Sequence, residues 1–130
     1  MQDSFRRFNL TLPLPGSPLA AANGVATFVA KRPVRVASAH LSLSDTGTGA
    51  GATNVNVNVN GNAINPANSL SIAGAAGTKS VSTDIVTGSE FPGGIRVGVG
   101  DTITVDIASV PATTQPKGGF VTLDLLELDI

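Results

Sequence analysis

The sequence has no cysteine, no tryptophan and no tyrosine. Without cysteine, disulfides and thiolate metal sites are excluded. The fold must be held by an apolar core alone, and 130 residues suffice for one domain with such a core. Without tryptophan or tyrosine, the amphipathic rings that usually form a sugar platform are missing, and five phenylalanines are the only large aromatic side chains. Charge is scarce too. Asp, Glu, Lys and Arg make up 13% of the chain, against about 25% in ordinary soluble domains. The formal net charge is −1, which argues against a nucleic-acid binder, since such proteins carry a basic patch or stripe. No apolar run approaches the ~20 residues that span a bilayer as a helix. The first fourteen residues alternate instead of forming a continuous apolar stretch, so no signal peptide is expected.

Gly, Ala, Ser, Thr and Asn take the place of the missing charge. A polar but weakly charged surface of this kind suits a protein packed in an assembly. The few charges are distributed unevenly. Arg6, Arg7, Lys31, Arg32 and Arg35 face only Asp3 within residues 1–40, whereas Asp124, Glu127 and Asp129 crowd the last seven. Either the two ends pair with each other, or the basic N-terminal arm docks on an acidic partner.

Helix formers are sparse, and 15 glycines and 8 prolines punctuate the chain. Leu19–Ala22 allows one helical turn at most. Period-two alternation recurs instead. Phe8, Leu10, Leu12 and Leu14 share a face, with Pro13 marking an edge or a strand end. Gly24–Ala30 follows as a strand, then Val34–Leu43, whose apolar face slips between Ser38 and Ala39. Asn54–Asn60 is the clearest strand: Val55, Val57 and Val59 point one way and four asparagines the other. Asn60-Gly61 is a hairpin turn into Asn62–Ile64, closed by Asn65-Pro66. Leu70 with Ile72, Val81–Val86 and Ile95–Val99 read as further strands, with a turn at Phe91–Gly94. Gly100-Asp101 leads into Thr102–Ile107. Thr46–Ala52 and Ala73–Gly77 read as loose glycine-rich loops, and Val110–Gly119 as a proline-bearing loop before the last strand. In that strand Val121, Leu123 and Leu125 share a face, and then the phase jumps to Leu126, Leu128 and Ile130. The jump requires a bulge, or a second buried face on the sandwich edge or a neighbouring subunit. The expected fold is a single all-β antiparallel sandwich, jelly-roll-like, of eight or nine short strands. Residues 1–18 would form an N-terminal arm with the first strand, and 19–130 the sandwich.

Catalytic chemistry finds little support. His40 is the lone histidine, and Ser42, Ser44 and Asp45 lie along its own strand, not around it as a triad. One histidine leaves a zinc site short of ligands. Glu90 and Glu127 are the only glutamates, and no carboxylate pair suggests a glycosidase. Asp45 before TGTG and Gly100-Asp101-Thr102 lack the calcium-loop pattern and read as turn residues. Asn9-Leu10-Thr11 matches a glycosylation sequon, uninformative without a secretion signal. No catalytic residue, cofactor or metal is expected.

From Thr53 to Leu128 the pattern resembles small β-sandwich virion proteins of tailed bacteriophages. It is carried by GATNVNVNVNGNAI (Gly51–Ile64), SLSIAG (Ser69–Gly74), IRVGVGDTITVDI (Ile95–Ile107) and FVTLDLLEL (Phe120–Leu128). The resemblance implies a capsid decoration (cement) protein or a related head or tail module, on the capsid exterior. Its implied partners are the major capsid protein and further copies of itself, with a trimer favoured, and neither nucleic acid nor membrane. Decoration is preferred to a fibre because no coiled-coil or repeat stalk is present. The expected contact residues are Phe5, Arg6, Arg7 and Phe8 of the arm, Asn54, Asn56 and Asn58 of the amide row, and Leu126, Leu128 and Ile130 of the tail. The alternative is a receptor- or glycan-binding module of a tail, baseplate or secreted assembly.

Overall fold

The computed structural model describes residues 5–16, 19–66, 68–75, 77, 79–85 and 95–128, and side chains within that set between residues 7 and 127. Ten strands are present among them: β1 (Phe5–Leu14), β2 (Ala22–Val29), β3 (Val34–Asp45), β4 (Ala52–Val59), β5 (Asn62–Ala63), β6 (Ser71–Ala73), β7 (Ser80–Asp84), β8 (Ile95–Val97), β9 (Thr102–Ser109) and β10 (Lys117–Leu128). They exceed the expected eight or nine, and two of them, β5 and β6, are short pieces on one edge of β4. All pairings are antiparallel, in two five-stranded sheets. The first sheet runs β1-β10-β3-β7, with β8 also on β3; the second runs β2-β9-β4-β5, with β6 also on β4. The chain is therefore an all-β sandwich.

Alternation explains the core. Leu12 and Leu14 of β1, Leu41 and Leu43 of β3, and Val121, Leu123 and Leu125 of β10 turn inward from the first sheet. Val55, Val57 and Val59 of β4 and Ile103, Val105 and Ile107 of β9 meet them from the second. Leu19 lies outside any helix and is fully buried, with its N–H donating to Pro116 O at 2.9 Å. Val86 and the Phe91–Gly94 turn lie outside the described residues. Val99 falls in the turn after β8 and is 67% exposed, so the alternation read through Ile95–Val99 ends at Val97.

The phase jump at Leu125-Leu126 resolves in two parts. β10 pairs with β1 in unbroken register from Gly119 to Leu128, so β10 itself carries no bulge. The register shift lies against β3: Asp124 faces Ser38 while Leu125 faces Val36, leaving Ala37 as the extra residue. The sequence pattern put this slip between Ser38 and Ala39; it falls at Ala37, so Ser38 belongs to the outward row with His40 and not with Val34 and Val36. Leu126 continues the outward row of Thr122 and Asp124, yet it is only 3% exposed and lies outside the core cluster. It is buried within this chain on the outer side of the first sheet.

The glycine-rich loop 46–52 is not loose. Thr48 bridges Thr114, with Thr48 N–H donating to Thr114 O at 2.9 Å and Thr114 N–H to Thr48 O at 3.0 Å. Ala75 N–H donates to Gly47 O at 2.7 Å, and Ala112 N–H to Ala50 O at 3.0 Å. Three loops are thus tied together at one end of the sandwich. Gly47 has φ +75°, and a Cβ there would stand 2.2 Å from Thr114 O, so only glycine fits.

Candidate functional site

The basic and acidic ends of the sequence meet. β1 lies along β10 with Arg6 opposite Glu127 and Arg7 opposite Leu126. The Arg7 guanidinium donates to Asp124 Oδ2 at 2.7 Å, and Arg32 donates to Glu127 Oε1 at 2.7 Å. Both arginine side chains remain about two-thirds exposed, 67% and 66%. Pairs this open contribute little stability in water; they set charge balance along the seam.

The expected contact residues divide between the two sheets. Phe5, Arg6, Arg7 and Phe8 sit on β1, and Leu126 and Leu128 beside them on β10, with Phe5 opposite Leu128. The side chains of Phe5, Arg6 and Leu128, and all of Ile130, lie outside the described residues. Asn54, Asn56 and Asn58 lie on β4 in the other sheet. The structure joins arm to tail, and places the amide row elsewhere.

The amide row is largely used within the molecule. Asn58 is buried and donates through Nδ2 to Asp106 Oδ2 at 2.9 Å. Asp106 also accepts from Gly24 N–H, through Oδ1 at 2.7 Å. One carboxylate therefore links β2, β9 and β4, and supports the irregular stretch of β2 between Ala22 and Ala26. Asn54 Nδ2 donates to Ser109 Oγ at 3.1 Å, and that hydroxyl donates to Ala52 O at 2.9 Å. Asn54 Oδ1 is buried without a partner among the described residues. Asn56 lies half-buried between them, opposite Asp106.

Two residues outside the sequence-derived set do comparable work. Asn65 is 7% exposed. Its Oδ1 accepts from Val57 N–H at 2.8 Å, and its Nδ2 donates to Ser69 Oγ at 3.1 Å and more weakly to Val55 O at 3.4 Å. The side-chain amide thus fills the gap on the β4 edge between β5 and β6. The other is Asp101. It accepts from Gly98 N–H at 2.9 Å. A side-chain hydrogen bond from Asn60, and then that N–H, hold its carboxyl below the usual carboxylate range. The sequence signal for both was only turn chemistry, Asn before Pro and Gly before Asp.

Two concavities stand out among the described residues. One is a shallow depression of about 480 Å³ on the outer face of the first sheet, lined by Ser38, His40, Ser82, Thr122, Asp124 and Arg7 among others. The other, about 180 Å³, lies at the seam between the sheets, where Phe8 meets Phe28, Ala30 and Val34 under the Arg32–Glu127 pair. His40 sits on β3 between Thr122 of β10 and Ser82 of β7. Among the described residues, no three acidic or histidine side chains gather as a metal site.

No protein-family model matches the sequence, and no curated protein sequence matches it. Among solved structures, the capsid of Ralstonia phage GP4 aligns with 99% of this chain and 86% of that chain, at 16% identity and a TM-score of 0.45, a likeness too distant to carry function.

Proposed function

We propose that the chain is a non-enzymatic structural protein of a tailed-phage virion. In this reading it is a decoration (cement) protein that binds the major capsid protein lattice from the capsid exterior and stabilises the head. The observation that carries the reading is the chemistry of the two outer sheet faces. They present Ser38, Ser82 and Thr122 on one side and Asn54, Asn56 and Thr104 on the other, and some of their ionised groups are held within the chain, Arg7 with Asp124 and Asp106 with Gly24 and Asn58. A partner that covers the hydroxyl and amide rows meets few charges there, and stripping water from charge is the costly step in burying a surface. The sequence pattern resembling tailed-phage virion sandwiches supports the same role. The test is to mix purified protein with undecorated capsids and look for added density by cryo-electron microscopy, together with a shift in capsid melting. Stoichiometric density on the outer surface is the expected result; bare capsids at saturating protein would refute it.

The polar depression around His40 favours a second reading, a glycan- or receptor-binding module. Hydroxyl, imidazole, guanidinium and carboxylate groups converge there. A glycan array answers it: a saccharide whose binding is lost in His40→Ala supports this reading, and a blank array removes it.

A further inference from the structure

The four sheet edges are not alike. β7 and β8 are five and three residues long, β5 and β6 two and three, and β2 is broken in register near Gly24. Short or irregular edges are the usual protection against pairing with another chain. β1 has neither: it is ten residues long and regular throughout.

The direction of its backbone groups follows from one hydrogen bond. Leu43 N–H donates to Lys79 O, so the odd-numbered residues of this part of β3 face β7. The even-numbered ones therefore face β10. They pair there with Phe120, Thr122 and Asp124, so the odd-numbered residues of β10 face β1. Their partners are Leu12, Leu10 and Phe8, leaving the amides and carbonyls of Phe5, Arg7, Asn9, Thr11 and Pro13 on the open edge. Pro13, which has no N–H, thus costs the β1–β10 ladder nothing. Arg7, Asn9 and Thr11 are all exposed.

The geometry points to this edge as the pairing site for β1 of a second copy, antiparallel about a two-fold axis at Asn9. This inference deepens the proposed virion role by naming the self-contact. Asn9 is the midpoint of the outward-facing residues, so centring there engages all of them and forms about eight backbone hydrogen bonds. Arg7 then falls opposite the partner's Thr11 and Arg6 opposite the partner's Leu12, so no like charges oppose each other. Phe8, 37% exposed, falls opposite the partner's Leu10, which is half-buried, and each covers the other. Two five-stranded sheets become one continuous sheet. Self-complementary pairing closes with two copies, where the sequence resemblance favoured three.

The test uses the absence of native cysteine. In a directly opposed, hydrogen-bonded antiparallel pair the Cα atoms lie about 5.5 Å apart, within disulfide reach. Asn9→Cys should therefore form a covalent dimer under mild oxidation. Thr11→Cys, whose symmetry mate lies about four residues away along the strand, should form it at least ~10-fold more slowly. Wild-type protein should sediment as a dimer, and Asn9→Pro, which removes an outward N–H and fixes φ at an edge position where proline is tolerated, should be a folded monomer by circular dichroism. Equal or absent cross-linking in folded protein, or a wild-type trimer, overturns the pairing. Capsid binding is read separately: a monomer that still decorates capsids refutes this edge and leaves the virion role standing, and a dimer that ignores capsids does the reverse.

Discussion

Asn65→Ala removes the oxygen that Val57 N–H donates to at 2.8 Å, in a position where Val57 is fully buried. The substitution leaves a buried donor in apolar surroundings. Leaving such a group unpaired costs about 1–3 kcal/mol. The vacated amide adds roughly 1 kcal/mol of lost packing if the site collapses only in part. The expected destabilisation is therefore about 2–4 kcal/mol. For a domain of this size that lowers the melting temperature by about 8–16 °C, at roughly 4 °C per kcal/mol. Urea unfolding followed by circular dichroism gives the free energy directly, and an unchanged slope would show that the denatured state is not responsible. Asn65→Asp sharpens the test. Its carboxylate keeps an acceptor for Val57 but places negative charge where Nδ2 faced the carbonyls of Val55 and Pro66. The carboxyl pKa should rise, so the variant should be weakest at neutral pH and recover as pH falls and the acid can donate. A loss below about 0.5 kcal/mol in Asn65→Ala, the range of ordinary surface changes, would refute the assignment of Asn65 as the missing partner of β4.

Thr53 is fully buried with Oγ1 unpartnered among the described residues; Thr53→Val should raise stability by about 1 kcal/mol, seen as a higher urea midpoint. Gly47→Ala must place Cβ against Thr114 O at a positive φ; it should cost at least ~2 kcal/mol by thermal unfolding, and wild-type stability in that variant would show that the loop can shift. The Asp101 carboxyl is held below its ordinary range by Asn60 and then Gly98. Its contribution should be complete above the unfolded carboxylate range and disappear as pH falls through the lower folded value, a loss on the acid side that Asp101→Asn should remove from the stability–pH curve.

How much of this was legible in the sequence depended on whether the governing interaction was local. The strands at Asn54–Asn60 and Thr102–Ile107 were readable because one buried face imposes period two. The Asn60-Gly61 turn was readable because both residues accept positive φ, and they adopt 51° and 86°. The slip in β3 and the jump in β10 were both visible. Yet only pairing shows that one is a bulge at Ala37 and the other a residue, Leu126, buried on the outer face. The loop 46–52 read as loose because glycine signals freedom locally, while its order comes from two later loops, around Ala75 and around Thr114. That the arm lies beside the tail was legible from the complementary charge at the two ends of the sequence. The commitment of Asn58 to Asp106 was not, because an alternating amide looks the same whether it faces water or a carboxylate.

The last strand occupies the middle of its sheet, between the first strand and the third. A chain emerging from the ribosome N-terminus first must therefore hold β1 and β3 apart, with their apolar faces uncovered, until residues 117–128 have been made. Pairing across so much intervening sequence is slow, on the order of milliseconds to seconds for all-β topologies. Completion of the first sheet therefore waits on residues 117–128, and a chain truncated before Lys117 leaves β1 with no partner strand while the second sheet still has every strand it needs.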